Sequence, residues 1–306
     1  MLALVASPGG ASPVELREVP EPTASDDEAI IAVRAISLNR GEINRLADAE
    51  DGWRPGWDIA GIVAQPAKSG KGPSGGARVV GFMPAGAWAE RVAVPLTRLA
   101  ELPDALSFAA ASTLPVAGLT ALRTLRHGGL LMGRRVLITG AAGGVGRFAV
   151  QLAARADAQV TAVVGSVDRG EGLRELGATE IITAIESATG PFDLILESAG
   201  GSSLAAALGL VARGGTVVTF GNSSRQDTTV NISAFYSKSG AHMIGYSLLA
   251  PVLEPFGPDL AYLALLMAQK LLDPQIGYEG SWRNVGEAMA ALRNRQVQGK
   301  AVLHVD

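Results

Sequence analysis

The chain has 306 residues, 18% of them charged and 48% hydrophobic, and a formal net charge of −3. It is long enough for one or two domains with real cores, and too apolar to be disordered. The charge leaves no electrostatic footprint for nucleic acid or an anionic membrane; Arg40, Arg45 and Arg54 come nearest to a basic cluster. Cysteine is absent, which excludes disulfides and Cys-ligated zinc.

Met1-Leu-Ala-Leu-Val-Ala6 lacks a basic start and runs into Ser7-Pro8-Gly9-Gly10, so it reads as a strand rather than a signal peptide. Short runs rich in Val, Ile and Ala predict strands at 14–19, 28–35, 61–65, 77–82 and 90–94, which together suggest a β domain. Residues 107–126 turn helical, with Pro115 expected to break the helix. Strands at 136–139, 159–164, 180–183, 193–196, 216–220 and 242–247 then alternate with helices at 145–156, 169–176 and 202–212. Such alternation means parallel strands joined by crossover helices, a doubly wound α/β sheet. The tail carries helical patterns at 258–272 and 282–293 and a closing strand at 301–305, which is expected to rejoin the first domain's sheet. The apolar stretch 260–268 is too short to span a bilayer, so a soluble, cytoplasmic protein is the default expectation.

The most informative segment is Val136-Leu-Ile-Thr-Gly-Ala-Ala-Gly-Gly-Val-Gly146, in which a buried strand meets a glycine-rich turn that opens into a helix. A helix N-terminus carries unpaired N–H groups and partial positive charge, which attract phosphate. Gly143 and Gly144, with Val145, let the backbone approach a pyrophosphate, and Gly146 lets helix and strand pack closely. Ala141 takes the position of the first glycine, so the turn must differ slightly in shape.

An NAD site usually places a carboxylate at the end of the second strand, roughly 20 residues past the glycine turn. Here the strand ends in Val164-Gly165, followed by Ser166-Val167-Asp168-Arg169. Gly165 adds no acid to repel a 2′-phosphate, while Ser166 and Arg169 supply donors for one, which favours NADPH over NADH. Asp168 is the rival, as the carboxylate of an NAD site on a longer strand.

Several segments, in order, resemble the medium-chain dehydrogenase/reductase superfamily and its zinc-free quinone oxidoreductase (zeta-crystallin-like) branch. They are Ser37-Leu38-Asn39, Pro55-Gly56-Trp57-Asp58-Ile59-Ala60-Gly61-Ile62-Val63, the strand Ala87–Pro95, the hinge segment Leu114–Ala121, the Ala141–Gly146 loop, and Gly299-Lys300-Ala301-Val302-Leu303. The resemblance implies a Rossmann dinucleotide-binding domain at 120–250 and a GroES-like, partly open β-barrel substrate domain at 1–119 and 251–306. Zinc-dependent relatives need a Cys near Asn39 and a His at the position of Trp57, so no metal site is expected. His127 precedes Gly128-Gly129 at a helix end, and His242 and His304 fall in predicted strands.

By the same resemblance Ser198, within Ser198-Ala199-Gly200-Gly201, lines the middle of the cofactor. Phe220, Gly221 and Asn222 lie under the nicotinamide ribose; a simple turn is the alternative for each of these loops. Asn39 and Thr120 face the nicotinamide. Arg295 maps to a cofactor-proximal arginine, with plain surface charge as the alternative. Arg169 stands where relatives commonly have a Lys on the extra phosphate, although the tyrosine some members carry near Ala184 is missing.

The substrate-pocket candidates are Asn44, Trp53, Trp57, Phe82 and Trp88. Trp53 and Trp57, four apart, either stack on a planar quinone or pack the core. No residue qualifies as a catalytic acid, which favours an already electrophilic substrate, a quinone or an α,β-unsaturated carbonyl. The alternatives are a 2-enoyl or enone reductase and a non-catalytic, crystallin-like NADPH-binding protein. Relatives dimerise through the sheet edge that corresponds to Thr229–Leu248, so a homodimer is expected.

Overall fold

A computed structural model describes residues 1–10, 12–250 and 254–306. The chain divides into two compact units, Met1–Leu119 with Pro251–Asp306, and Thr120–Ala250.

In the first unit the strand Glu28–Leu38 is the hub, with Asp58–Gln65, Arg91–Pro95 and Lys300–His304 antiparallel to it. Ala29, Ile31 and Val33 are buried and their neighbours less so, the alternation of a strand with one face on a core. From Ala35 to Leu38 every residue is buried. The sheet continues through Arg78–Phe82 to Leu99–Glu101. Leu2–Ala6 and Val14–Glu18 form a separate antiparallel pair. Trp88 and Trp282 sit fully buried in the core with Ile31, Ile36 and Ile59. This largely antiparallel sheet is the GroES-like unit.

The closing strand does rejoin this sheet, with Val302 opposite Ser37. It begins at Lys300, which carries a buried lysine into the fold. Ile276–Ser281, which the sequence pattern hides behind two glycines and a glutamate, runs parallel to it. Gly277 is obligatory there, because a Cβ would collide with the Gln298 carbonyl.

The second unit is a six-stranded, all-parallel sheet. Its order is Glu180–Ile182, Gln159–Val163, Arg135–Thr139, Phe192–Glu197, Val211–Thr219, His242–Gly245. In chain order that is third, second, first, fourth, fifth, sixth, the doubly wound arrangement expected. Val136–Ile138 and Leu194–Leu196 are fully buried, as central parallel strands covered on both faces must be. The order reverses between Arg135–Thr139 and Phe192–Glu197, so the loops after these two strands flank the crevice where such sheets bind ligands.

Two expectations are corrected. Residues 169–176 form no helix; a 3-10 turn at Val167–Gly170 gives way to turns. Gly172 is left-handed at φ +75°, a conformation that ends helical geometry. Pro115 does not break the helical run either. Phe108–Ser112 passes through a π turn at Leu114–Gly118 into Leu119–Arg126. The wider turn accommodates the proline, and the Val116 N–H donates to Asp58 Oδ1 at 2.9 Å instead of to the helix.

Candidate functional site

The glycine turn of the second unit is built as its sequence suggests, with one shift. The left-handed residue is Gly140, at φ +62°, so alanine fits at 141 without strain. A Cβ at Gly146 would lie 2.5 Å from Ala141 Cα, so only glycine lets this helix pack against the strand. The helix Gly144–Arg155 begins at Gly143 with no capping side chain. Its first-turn N–H groups therefore remain as donors for an anion.

Glu197, fully buried at the end of its strand, organises the neighbouring loop. Its Oε1 accepts from the Ala199 N–H and Ser203 Oγ, each at 2.9 Å, and its Oε2 from the Gly200 N–H at 3.0 Å. Thr139 Oγ1, 3.3 Å from the same carboxylate, accepts from the Ser198 N–H at 2.8 Å. One acid thus ties the tips of the first and fourth strands together and fixes the backbone of 198–200. Glu197 is not among the site residues read from the sequence, although an acid that closes an apolar strand just before Gly200-Gly201 was a usable signal.

The loop after the fifth strand joins this group. The Ser223 N–H donates to the Ser198 carbonyl at 3.0 Å, and the Ser224 N–H to that of Ala199 at 2.8 Å. A Cβ at Gly221 would sit 3.1 Å from the Ser198 carbonyl, and one at Gly200 would collide with Asn222 Oδ1. Ser198, Phe220, Gly221 and Asn222 therefore share one corner of the sheet with the glycine turn. Gly165 and Ser166 are exposed just past the second strand, and Arg169 is half-buried, its N–H on the Ser166 carbonyl at 3.2 Å. Thr120 is buried, with its carbonyl accepting from Thr124 Oγ1 at 2.6 Å.

In the first unit the residues around Asn39 form a buried polar cluster. Lys300 Nζ donates to Asn39 Oδ1 at 2.6 Å, to Asp58 Oδ2 at 3.1 Å and to the Leu38 carbonyl at 3.2 Å. Asp58 Oδ2 also accepts from Ser37 Oγ at 2.6 Å and Asn39 Nδ2 at 2.9 Å. Glu42 accepts from the N–H groups of Asn39 and Trp57, each at 2.6 Å. Burial, and then the Asp58 charge, push the Glu42 carboxyl well above the usual carboxylate range. Glu42, Asp58 and Lys300 are not among the site residues read from the sequence; for Glu42, an acid three residues after Asn39, the pattern by which a carboxylate reaches back to a helix start, was the available sign.

Of the pocket candidates, Phe82 packs edge-to-face on Phe256 at 5.2 Å and Trp88 is fully buried in the core. Trp57 is buried beneath the Arg45 guanidinium, 5.5 Å from its ring centre. Trp53 is half-buried, and Asn44 and Arg295 are exposed.

The family described as Zinc-binding dehydrogenase matches residues 144–255. NAD(P)H oxidoreductase RTN4IP1, mitochondrial, of Homo sapiens is 30% identical over 91% of this chain and 82% of its own length. The chain belongs to the medium-chain dehydrogenase/reductase superfamily, in its quinone oxidoreductase-like branch. It is an oxidoreductase of that family. Quinone-oxidoreductase QR1, chloroplastic, of Triphysaria versicolor is 29% identical over 96% of this chain and 95% of that protein. 2-Methylene-furan-3-one reductase of Solanum lycopersicum is 29% identical over 92% and 73% respectively. The structure of Escherichia coli quinone oxidoreductase complexed with NADPH shares the fold, with a TM-score of 0.86, 23% identity and full coverage of both chains. The chain spans 12% of another relative, the highly reducing polyketide synthase apmlA of Arthrinium phaeospermum.

Zinc does not fit the residues of this medium-chain dehydrogenase/reductase. Trp57 presents an indole, and the Asn39 oxygen holds an ammonium. Among the described residues no group of three or more His, Asp or Glu converges. His304 pairs with Glu279 at 2.6 Å, and His127 lies edge-on to Tyr246. No described helix is long and apolar enough to cross a membrane.

Proposed function

We propose that this chain is a zinc-independent reductase that takes hydride from NADPH and delivers it to a quinone or an α,β-unsaturated carbonyl. The observation that carries the reading is the uncapped, glycine-lined N-terminus of Gly144–Arg155 beside the loop that Glu197 orders. Gly143, Gly144 and Val145 would hold the pyrophosphate, and Gly165, Ser166 and Arg169 the 2′-phosphate. Ser198, Phe220, Gly221 and Asn222 would hold the middle of the dinucleotide, with Asn39, Thr120 and Arg295 toward its nicotinamide end. Residues 120–250 are then the dinucleotide domain, and 1–119 with 251–306 the substrate domain. When bound, the nicotinamide supplies the hydride.

The protein's part is to orient and to exclude water. It offers no assigned acid, and a quinone or enone needs none, because solvent can protonate the reduced product. Enone reduction is the second reading, favoured by the similarity to 2-methylene-furan-3-one reductase. The test is NADPH oxidation against a panel of quinones and enones, with and without chelator. Turnover indifferent to chelator supports the proposal. Tight NADPH binding without turnover points to the non-catalytic, crystallin-like alternative, and absence of NADPH binding overturns it.

A further inference from the structure

Every hydrogen on the Asn39 side chain is already taken. Its Nδ2 has two, and two carboxylates receive them, Glu42 Oε2 at 3.2 Å and Asp58 Oδ2 at 2.9 Å. The contact with Lys300 Nζ at 2.6 Å fixes which end of the amide is oxygen, because an ammonium has donors only. Lys300 spends its other two hydrogens on Asp58 and the Leu38 carbonyl, so it has no donor left to exchange. Glu42, Asp58 and Lys300 are all buried, while Asn39 is only half-buried. What Asn39 retains is one lone pair on Oδ1.

We propose that Asn39 is an obligate hydrogen-bond acceptor toward its ligand, and that Lys300 and Glu42 are positioning residues that impose this polarity. The matching ligand group is an N–H donor of the primary-carboxamide class, which on the NADPH reading above is the nicotinamide amide. Lys300 and the two carboxyl groups act together. Turned over, the amide would set Nδ2 against the ammonium and Oδ1 against Glu42 and Asp58, so Asn39 loses its preference for a donor only when all three partners are replaced. Glu42 holds the other end, since it receives both the Asn39 backbone N–H and an Nδ2 hydrogen.

The test compares two reduced cofactors, NADPH and its analogue with an acetyl group in place of the carboxamide, which keeps the carbonyl and loses the N–H donors. Wild type is expected to bind NADPH about two- to tenfold more tightly than the analogue, the worth of one neutral hydrogen bond. Lys300→Met alone is expected to keep that ratio, because both carboxyl groups still receive the Nδ2 hydrogens. Lys300→Met with Asp58→Asn and Glu42→Gln, whose amides can meet either end of Asn39, is expected to bring it to about one. The ratio is internal to each protein, so a general loss of stability does not move it.

Equal affinities in wild type, or an unchanged ratio in the triple variant, would overturn the proposal; if the triple variant does not fold, the NMR measurement decides. If neither compound binds, the cofactor reading fails separately, and NMR of the Asn39 side-chain amide decides the polarity. Two slowly exchanging, hydrogen-bonded Nδ2 protons in wild type support it, and rapid exchange with solvent overturns it.

Discussion

Lys300 Nζ lies 3.1 Å from Asp58 Oδ2, across 242 positions of sequence, with side-chain exposures of 3% and 0%. The pair joins the closing strand to Asp58–Gln65, strands that never touch in the sheet order, through the end of Glu28–Leu38 between them. A buried ion pair contributes little beyond what well-packed apolar side chains would, but the loss of one partner strands a charge. Lys300→Met is therefore expected to destabilise the protein by about 3–5 kcal/mol, and the neutral double variant with Asp58→Asn by clearly less. Urea unfolding of both variants checks this. Equal losses would mean that packing, and not the stranded carboxylate, dominates.

Glu42 makes stability depend on pH in an unusual sense for a carboxylate. Burial, and next the Asp58 charge, raise its folded value well above the ordinary 4.5, despite Lys300 and the Asn39 hydrogen bonds. The folded state then holds this proton more tightly than the unfolded chain does. Its contribution is fully present below the unfolded value and is lost as pH climbs to the raised folded one. Glu42→Gln removes the titration and adds a constant penalty, because its amide NH₂ meets the N–H donors of Asn39 or Trp57. The stability of wild type minus that of the variant should fall as pH rises above the unfolded value, then level off. A flat difference across that window would show that Glu42 titrates normally.

The doubly wound sheet was legible because buried parallel strands are continuous apolar runs and the glycine turn is a local feature. Arg135–Thr139 and Gly144–Arg155 needed nothing beyond neighbouring residues to be placed. Ile276–Ser281 was not legible, because two glycines serve a backbone approach rather than a strand pattern. Residues 169–176 were misread for the opposite reason, since apolar spacing there is overridden by the left-handed Gly172. The buried cluster was hidden by distance. Asn39 stood out by resemblance, but its partners Asp58 and Lys300 reach it only through strand pairing.

Among the described residues the strand His242–Gly245 is the last in its sheet, paired with a strand on one side only. Near it in sequence, Ile232, Tyr236 and Met243 are 65%, 71% and 47% exposed. An apolar edge of this kind invites pairing with a second copy. A homodimer at micromolar concentration is expected by light scattering, and Ile232→Asp with Met243→Lys should shift it toward monomer. A wild-type monomer at that concentration would refute the assignment.

Arg169 tests the cofactor preference most directly. It sits in the turn Val167–Gly170, next to the exposed Gly165 and Ser166 and beside the rival Asp168. A charge-assisted hydrogen bond to a 2′-phosphate is worth roughly 1.5–3 kcal/mol. Arg169→Ala should then weaken NADPH binding by about 10- to 150-fold. NADH affinity should stay nearly unchanged, because NADH gives that guanidinium nothing to hold. Asp168→Ala is the opposing control: if Asp168 accepts from the ribose hydroxyls, NADH binding falls in that variant and Arg169→Ala is silent. Fluorescence titration of both cofactors against wild type and the two variants separates the cases. Equal losses of NADPH and NADH in Arg169→Ala would mean that the arginine supports the turn itself, and the preference would have to be sought elsewhere.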